Sequence, residues 1–247
     1  MANKTRTEIR NQIYQYLPQV NQTGKLTLVN NAIDLAVEDM SNRHDFRCLR
    51  AVTPDTATLA VGAYYLDLSS FTVMGAAATY LKDILQMRWM KGTSEDYGHI
   101  KFVDDALFHD RWGYVDYSGR TRGEPVEYTR LGDRLIFNCP ANEALTIRCW
   151  YQKLHPPFAA DATSHSFDTR ANSTAFMAIV YGALTELKSS LSGVEFPQEL
   201  QTPAAMYEQW LQKLIAKDRD VPNEAFEIGL GERGSRFNTS DPYDWTR

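Results

Sequence analysis

Clustered positive charge is missing from this chain: lysine and arginine are scattered, and the formal net charge is −5. Gripping a phosphate backbone needs concentrated cations, so a protein built to hold nucleic acid is excluded, whereas a wall past which DNA slides fits weak repulsion. Cysteine is scarce too. Cys48, Cys139 and Cys149 make an odd set with neither metal-site spacing nor the density of a disulfide framework, and read as reduced, partly buried thiols. No long hydrophobic run occurs. The most apolar stretch, Ala175 to Leu184, is followed by Thr185, Glu186 and Lys188, well short of the ~20 residues that span a bilayer. The opening MANKTRTEIRNQIYQYL has no apolar centre of the signal-peptide kind. A soluble chain away from membranes is the expectation.

Catalytic signatures are equally thin. There is no G-x-S-x-G, P-loop or C-x-x-C. His44, His99, His109, His155 and His165 never recur at i+3 or i+4, and His99 with Asp104, Asp105, His109 and Asp110 matches no ligand spacing. His44 beside Asp45 has no nucleophile to serve and reads instead as a cation at a helix C-terminus. Gly229-Leu230-Gly231-Glu232-Arg233-Gly234 is a G-x-G-x-x-G string without the strand before it or the helix after it that dinucleotide binding needs. The expectation is no catalytic residue, no cofactor and no metal.

What is present is enough apolar material for a real core: 43% hydrophobic residues against 23% charged. Thr5 and Glu8 form a capping-box pair, and Ile9, Ile13, Tyr16 and Leu17 follow at helical spacing to Pro18. Leu26, Val29, Ile33, Ala36 and Met40 make the stripe of a second helix, with Asp34, Glu38 and Asp39 off it. From Phe46 to about Leu154 the period is nearer two. Ala63 to Leu68 and Thr72 to Leu81 read as strands. Tyr128–Leu131 and Arg134–Phe137 flank Gly132-Asp133 as a type II′ hairpin, and a second hairpin joins Leu135–Cys139 to Leu145–Tyr151. Trp89 to Gly123 reads as a long loop or distorted hairpin. Thr174 to Leu191 is apolar nearly all round, with Gly193 as a C-terminal cap. Thr202 as N-cap and Pro203 open a last helix, whose buried face is Tyr207, Trp210, Leu211, Leu214 and Ile215.

Helices near residues 5–17, 25–42, 173–191 and 203–218 cannot each bury a stripe alone. The pattern therefore predicts an α+β protein: a four-helix bundle over 1–45 and 168–222, with an antiparallel β-rich domain, 46–167, inserted between helices two and three. Its long loop lies near 89–123, and an extended C-terminal tail covers 223–247. Trp112, Tyr114 and Tyr117, and in the tail Phe237, Tyr243 and Trp245 with Arg233 and Arg236, sit in polar, glycine-containing surroundings. They read as protein–protein partner-binding anchors.

The layout resembles the head-to-tail adaptor, or connector, proteins of tailed phages. Leu26 to Arg50 is similar to their helix-then-aromatic opening, and Tyr64-Tyr65-Leu66-Asp67-Leu68 with Phe71 to a strand in which their proline is absent here. Gly123 to Tyr128, Leu135 to Pro140 and Ile147 to Tyr151 resemble their paired hairpins, and the two late helices their returning ones. The resemblance implies a structural virion protein at the neck, made in the host bacterial cytoplasm. It implies a homo-oligomeric, dodecameric ring beneath the portal protein, a tail or nozzle protein below, and genomic DNA passing through without specific binding. On that resemblance Arg233, Arg236, Phe237, Tyr243 and Trp245 would meet the portal or a neighbouring subunit, and Trp112, Tyr114 and Tyr117 the tail or a neighbouring subunit. The rival readings are another neck, head-completion or tail-tube component, or a tail-associated cell-wall hydrolase.

Overall fold

The computed structural model describes residues 2–72, 81–92, 97–113, 120–191, 196–197, 200 and 202–220. Along the chain run α1 (Arg6–Tyr16), α2 (Leu26–Arg43), β1 (Asp55–Leu59), β2 (Tyr65–Asp67), β3 (Leu81–Lys91), β4 (Tyr97–Phe102) and α3 (Asp105–Trp112). Then come β5 (Glu127–Leu131), β6 (Arg134–Phe137), β7 (Leu145–Lys153), α4 (Asn172–Ser190) and α5 (Pro203–Arg219). Thr5 starts α1 as its residues require: the hydroxyl accepts from the Glu8 N–H, and the Glu8 carboxylate accepts from the Thr5 N–H at 2.8 Å. Pro203 sits at the first turn of α5, but the Thr202 side chain makes no capping bond. Gly193 lies outside the described residues.

Two main cores result. In the helical one, Ile9 and Ile13 of α1, Val29, Ile33 and Val37 of α2, Ile179, Leu184 and Leu187 of α4, and Leu211 and Leu214 of α5 are buried together. Phe46, Phe158 and Phe167, from the segments on either side of the strands, complete it; the Phe46 and Phe167 rings meet edge-on at 5.0 Å. The second core fills the sheet. Leu59, Leu68, Met87, Ile100, Leu135, Phe137, Ile147 and Tyr151 point into one space.

That sheet has seven strands in the order β1-β7-β3-β4-β5-β6-β2, all neighbours antiparallel except β4 and β5. Its end strands β1 and β2 come back into contact, so it is bent nearly into a barrel. The expected four-helix bundle carrying an inserted antiparallel β domain is thereby corrected. Five helices are present among the described residues, and the sheet curls around its own core. Nor do the four long helices close on one another as staves. α1, α2 and α5 each pack on α4, which is buried round most of its circumference, and α5 meets α2 largely through polar side chains. A helix that is apolar on all sides acts as an axle rather than as one face of a square.

Two local readings change with it. Gly132-Asp133 does turn β5 into β6, with Gly132 at φ +60° and no positive φ at Asp133, as a type II′ turn requires. The second hairpin does not form. β6 is paired by β5 and β2, while β7 is taken on both edges by β1 and β3, so residues 138–144 cross between distant strands. The stretch from Trp89 holds the end of β3, then β4 pairing Met90 with Tyr97, then α3. The strand expected over Thr72 to Leu81 falls largely outside the described residues.

α4 is approached most closely at Gly182. A Cβ there would lie 2.9 Å from the Ala36 Cβ on α2 and 3.2 Å from the Tyr207 ring on α5. Gly182→Ala is therefore expected to lower stability by about 1–2 kcal/mol in spite of alanine's better helix propensity. A urea-unfolding midpoint that stayed put or rose would refute the close three-helix contact.

Candidate functional site

The first candidate surface is the corner where α3 meets the sheet. The Asp104 carboxylate accepts from the Ala106 N–H at 3.1 Å and starts α3. Val103 and Phe108 are buried there, with Tyr64, Trp112 and Ile136 packed against them. Trp112, expected as an outward anchor, is half-buried and held on several sides. Its Nε1–H donates to Glu127 Oε2 at 2.8 Å, and the Arg120 guanidinium lies 5.9 Å from its ring centre. Arg111 donates to the other Glu127 oxygen at 2.9 Å. The Asn138 side-chain oxygen accepts from the N–H groups of Val126 and Glu127, which fixes the strand carrying that carboxylate. Tyr114 and Tyr117 lie outside the described residues. The apolar side chains that this corner exposes are Phe102, Leu107 and Val126, each more than half accessible. Sequence reasoning missed them, because an apolar residue in a strand or helix is first assigned to the core.

The second is the junction of the two layers. Here α2 ends, β3 begins and α5 ends. His44 is the C-cap of α2, and its Nε2 lies 2.9 Å from Asp218 Oδ2 on α5; the Arg47 N–H donates to the same carboxylate at 3.1 Å. Lys82 donates to the carbonyls of Ser41 and Asn42 and pairs with Asp45 at 2.7 Å. An open cavity at this place is lined by Arg43, Arg47, Arg50, Lys82 and Arg219 against Asp45 and Asp218, so cations outnumber carboxylates. Above it Asp39 accepts from Tyr207 Oη at 2.6 Å and from Arg43 Nε at 2.9 Å. Burial and that bonded carboxylate push the Tyr207 phenol up, keeping it protonated. Asp34 and Asp39, off the apolar stripe of α2, are thus its joints: Asp34 pairs with the buried Arg6 of α1 at 2.5 Å and accepts from the Phe158 N–H.

The remaining titratable groups with marked shifts are structural in their bonding. His155 Nδ1 lies 2.6 Å from the Pro156 carbonyl, and Nε2 accepts from the Ser166 N–H at 2.9 Å. Both bonds suit a neutral imidazole, and burial brings its pKa down to about 4. His165 is lowered by burial as well and faces Asn172 Oδ1 at 3.1 Å. Cys149 is buried inside the sheet and pushed up to about 12 by that burial, while Cys48 is exposed and Cys139 half-buried. Among the described residues no group of three or more histidines, cysteines or carboxylates is placed to hold a metal ion. Among them, too, no helix is long and apolar enough to cross a membrane. Arg233, Arg236, Phe237, Tyr243 and Trp245, like the string Gly229 to Gly234, lie outside the described residues.

Residues 4–226, which take in both cores, every strand and every helix described, match the family described as SU10 adaptor protein. No curated protein matches the chain.

The buried imidazole gives a pH dependence of stability. Between pH 6.5 and about 4 the unfolded His155 takes up a proton that the folded one refuses. Its contribution, on the order of 3 kcal/mol, is complete above pH 6.5 and is lost as pH falls through that window. His165, shifted the same way, adds to the slope. Thermal unfolding followed from pH 7.5 to 4 is expected to show a falling Tm, and His155→Gln a lower but flatter curve. A wild-type Tm that held level over that range would contradict the assignment.

Proposed function

The chain belongs to the SU10 adaptor protein family, a phage head-to-tail adaptor family, and on that premise we propose that it joins the capsid portal to the tail. In this reading copies assemble laterally into a ring, dodecameric as in the adaptors it resembles, under the portal and around the DNA exit channel, with tail or nozzle protein received below. The single observation that carries it is the extent of the match: the family correspondence runs through the helical core and the curled sheet alike, so the whole described body is what an adaptor is made of.

Other features support it. A net charge of −5 with dispersed cations suits a passage through which DNA slides without sticking. The polar junction between helical layer and sheet, where Lys82 of β3 donates to the Ser41 and Asn42 carbonyls and pairs with Asp45, holds the two parts in a set relation, which a ring subunit needs for its two sides to match. The exposed Phe102, Leu107 and Val126 beside Trp112 offer apolar surface for a neighbouring copy or a tail component. In the C-terminal stretch, Arg233, Arg236, Phe237, Tyr243 and Trp245 are the residues that engage the portal or an adjacent copy, with the aromatics as anchors.

The test is to mix the chain with purified portal and measure mass and image the product. Free chain is expected as a small species, with rings forming on portal. Deleting residues 228–247 is expected to abolish portal binding while leaving the body folded, with a cooperative thermal transition. Alanine at Phe237, Tyr243 or Trp245 singly is expected to cost on the order of 2 kcal/mol of binding. Truncated chain that formed the same ring with the same affinity would remove the tail from the interface.

A further inference from the structure

On the outward face of the sheet one row crosses four strands: Thr56 of β1 stands opposite Arg148 of β7, Arg148 opposite Arg88 of β3, and Arg88 opposite His99 of β4. Two arginines directly opposite one another on adjacent strands repel, and sheets normally place a neutral or oppositely charged residue at such a position. Neither guanidinium has a carboxylate partner among the described residues. Arg88 lies instead between two rings, 5.3 Å from the centre of Tyr97 and 5.4 Å from that of Trp150. Arg148 is half-buried, and its Nε is enclosed with no hydrogen-bond acceptor among the described residues. Enclosing a guanidinium N–H without an acceptor is costly. The Gln86 amide oxygen accepts from Arg88 Nη2 at 3.0 Å and from Nε at 3.2 Å, so the unsatisfied donor of the pair is the enclosed Arg148 Nε. Two cations on adjacent strands, flanked by aromatic faces and without a carboxylate among the described residues, form a receptor for a carboxylate that carries aromatic neighbours.

The chain contains such a segment. Asp241, Tyr243 and Trp245 alternate near its end, so in an extended strand they share one face while Asp244 lies on the other. The segment also has the reach. α5 ends at Arg219, which lines the same cavity as Lys82 near the start of β3. Arg88 is six residues further along that strand, roughly 20 Å away. The twenty residues 221–240 can span up to ~65 Å. Tethering raises the local concentration of the segment far above that of any free partner.

We propose that the outward face around Arg88 and Arg148 is the docking site of this chain's own C-terminal segment, with the Asp241 carboxylate between the two guanidiniums and Tyr243 and Trp245 against the aromatic surroundings of Arg88. In the free chain the segment is held there. Assembly releases it, which makes the anchors available only where a partner competes for them. The docking needs no partner, so it stands or falls separately from the portal-binding role.

The test uses the full-length chain alone, with the photo-crosslinker p-benzoylphenylalanine in place of Thr246. After irradiation at micromolar concentration, the species of monomer mass is expected to carry adducts on β3, β4 or β7, mapped by peptide mass spectrometry. Arg88→Gln with Arg148→Gln is expected to cut that yield by roughly tenfold or more. Asp241→Asn, which leaves the folded body untouched, should do likewise and carries the test even if the double variant misfolds. Adducts confined to species of dimer mass, adducts on the helical layer, or a yield indifferent to Asp241→Asn would each overturn the proposal. So would a labelled duplex oligonucleotide bound by the wild type and lost with the arginine pair, since that would make the row a phosphate site.

Discussion

The rest of the structure depends on the burial of α4 between three neighbours. Ala175, Ala178, Ile179, Ala183, Leu184 and Leu187 are all inaccessible, and Gly182 lets Ala36 of α2 and Tyr207 of α5 come in close against the helix. Fully burying a leucine or isoleucine contributes about 2 kcal/mol, so this one helix holds a large share of the apolar stabilisation on its side of the molecule. α1 and α5 have narrower apolar faces and are ordered because α4 gives those faces something to cover. The polar joints come second in energy and first in geometry: Arg6 to Asp34, Tyr207 and Arg43 to Asp39, His44 to Asp218 fix how each helix is turned about its axis.

The two cores are joined by buried hydrogen bonds more than by shared apolar contacts. Ser41 Oγ donates to the Val37 carbonyl and accepts from the His155 N–H at 3.0 Å; Gln152 Nε2 donates to the Phe46 carbonyl at 2.9 Å. Each joint links the C-terminal half of α2, or the segment after it, to the end of β7 or the segment after it. Such bonds contribute modestly when made and cost a full desolvation when broken, so the junction resists hinge motion. For a subunit that must present matched surfaces to neighbours on either side, a stiff polar seam is more useful than a slippery apolar one.

Much of the helical part was legible because its signals are local. The Thr5–Glu8 box, the stripe of α2, the apolar run of α4 and Pro203 at the start of α5 place those helices within a residue or two of where they lie. Harder to see was the β region beyond its one tight turn. Along β3, bulges between Leu81 and Asp83 and between Ile84 and Gln86 break the alternation that would mark a strand. In β4, Gly98 stands against the Trp89 indole, so a residue that looks like a turn former is a space for a ring. The hairpin expected between β6 and β7 failed because each edge found a better partner far away in sequence, and nothing in a pair of neighbouring strands reports that competition.

By itself the sequence determined the four long helices but not α3, where α1 begins, where β5 turns back into β6, and that large apolar faces would have to be shared, since capping, periodicity and turn chemistry act over a few residues. Only the tertiary structure decided that α4 is an axle rather than a stave, that the strands curl nearly shut, and that Trp112 turns to Glu127. It also decided that Arg88 and Arg148 stand side by side. Those outcomes rest on contacts between residues tens of positions apart, whose pairing is settled by competition among all available surfaces and leaves no mark at either site alone.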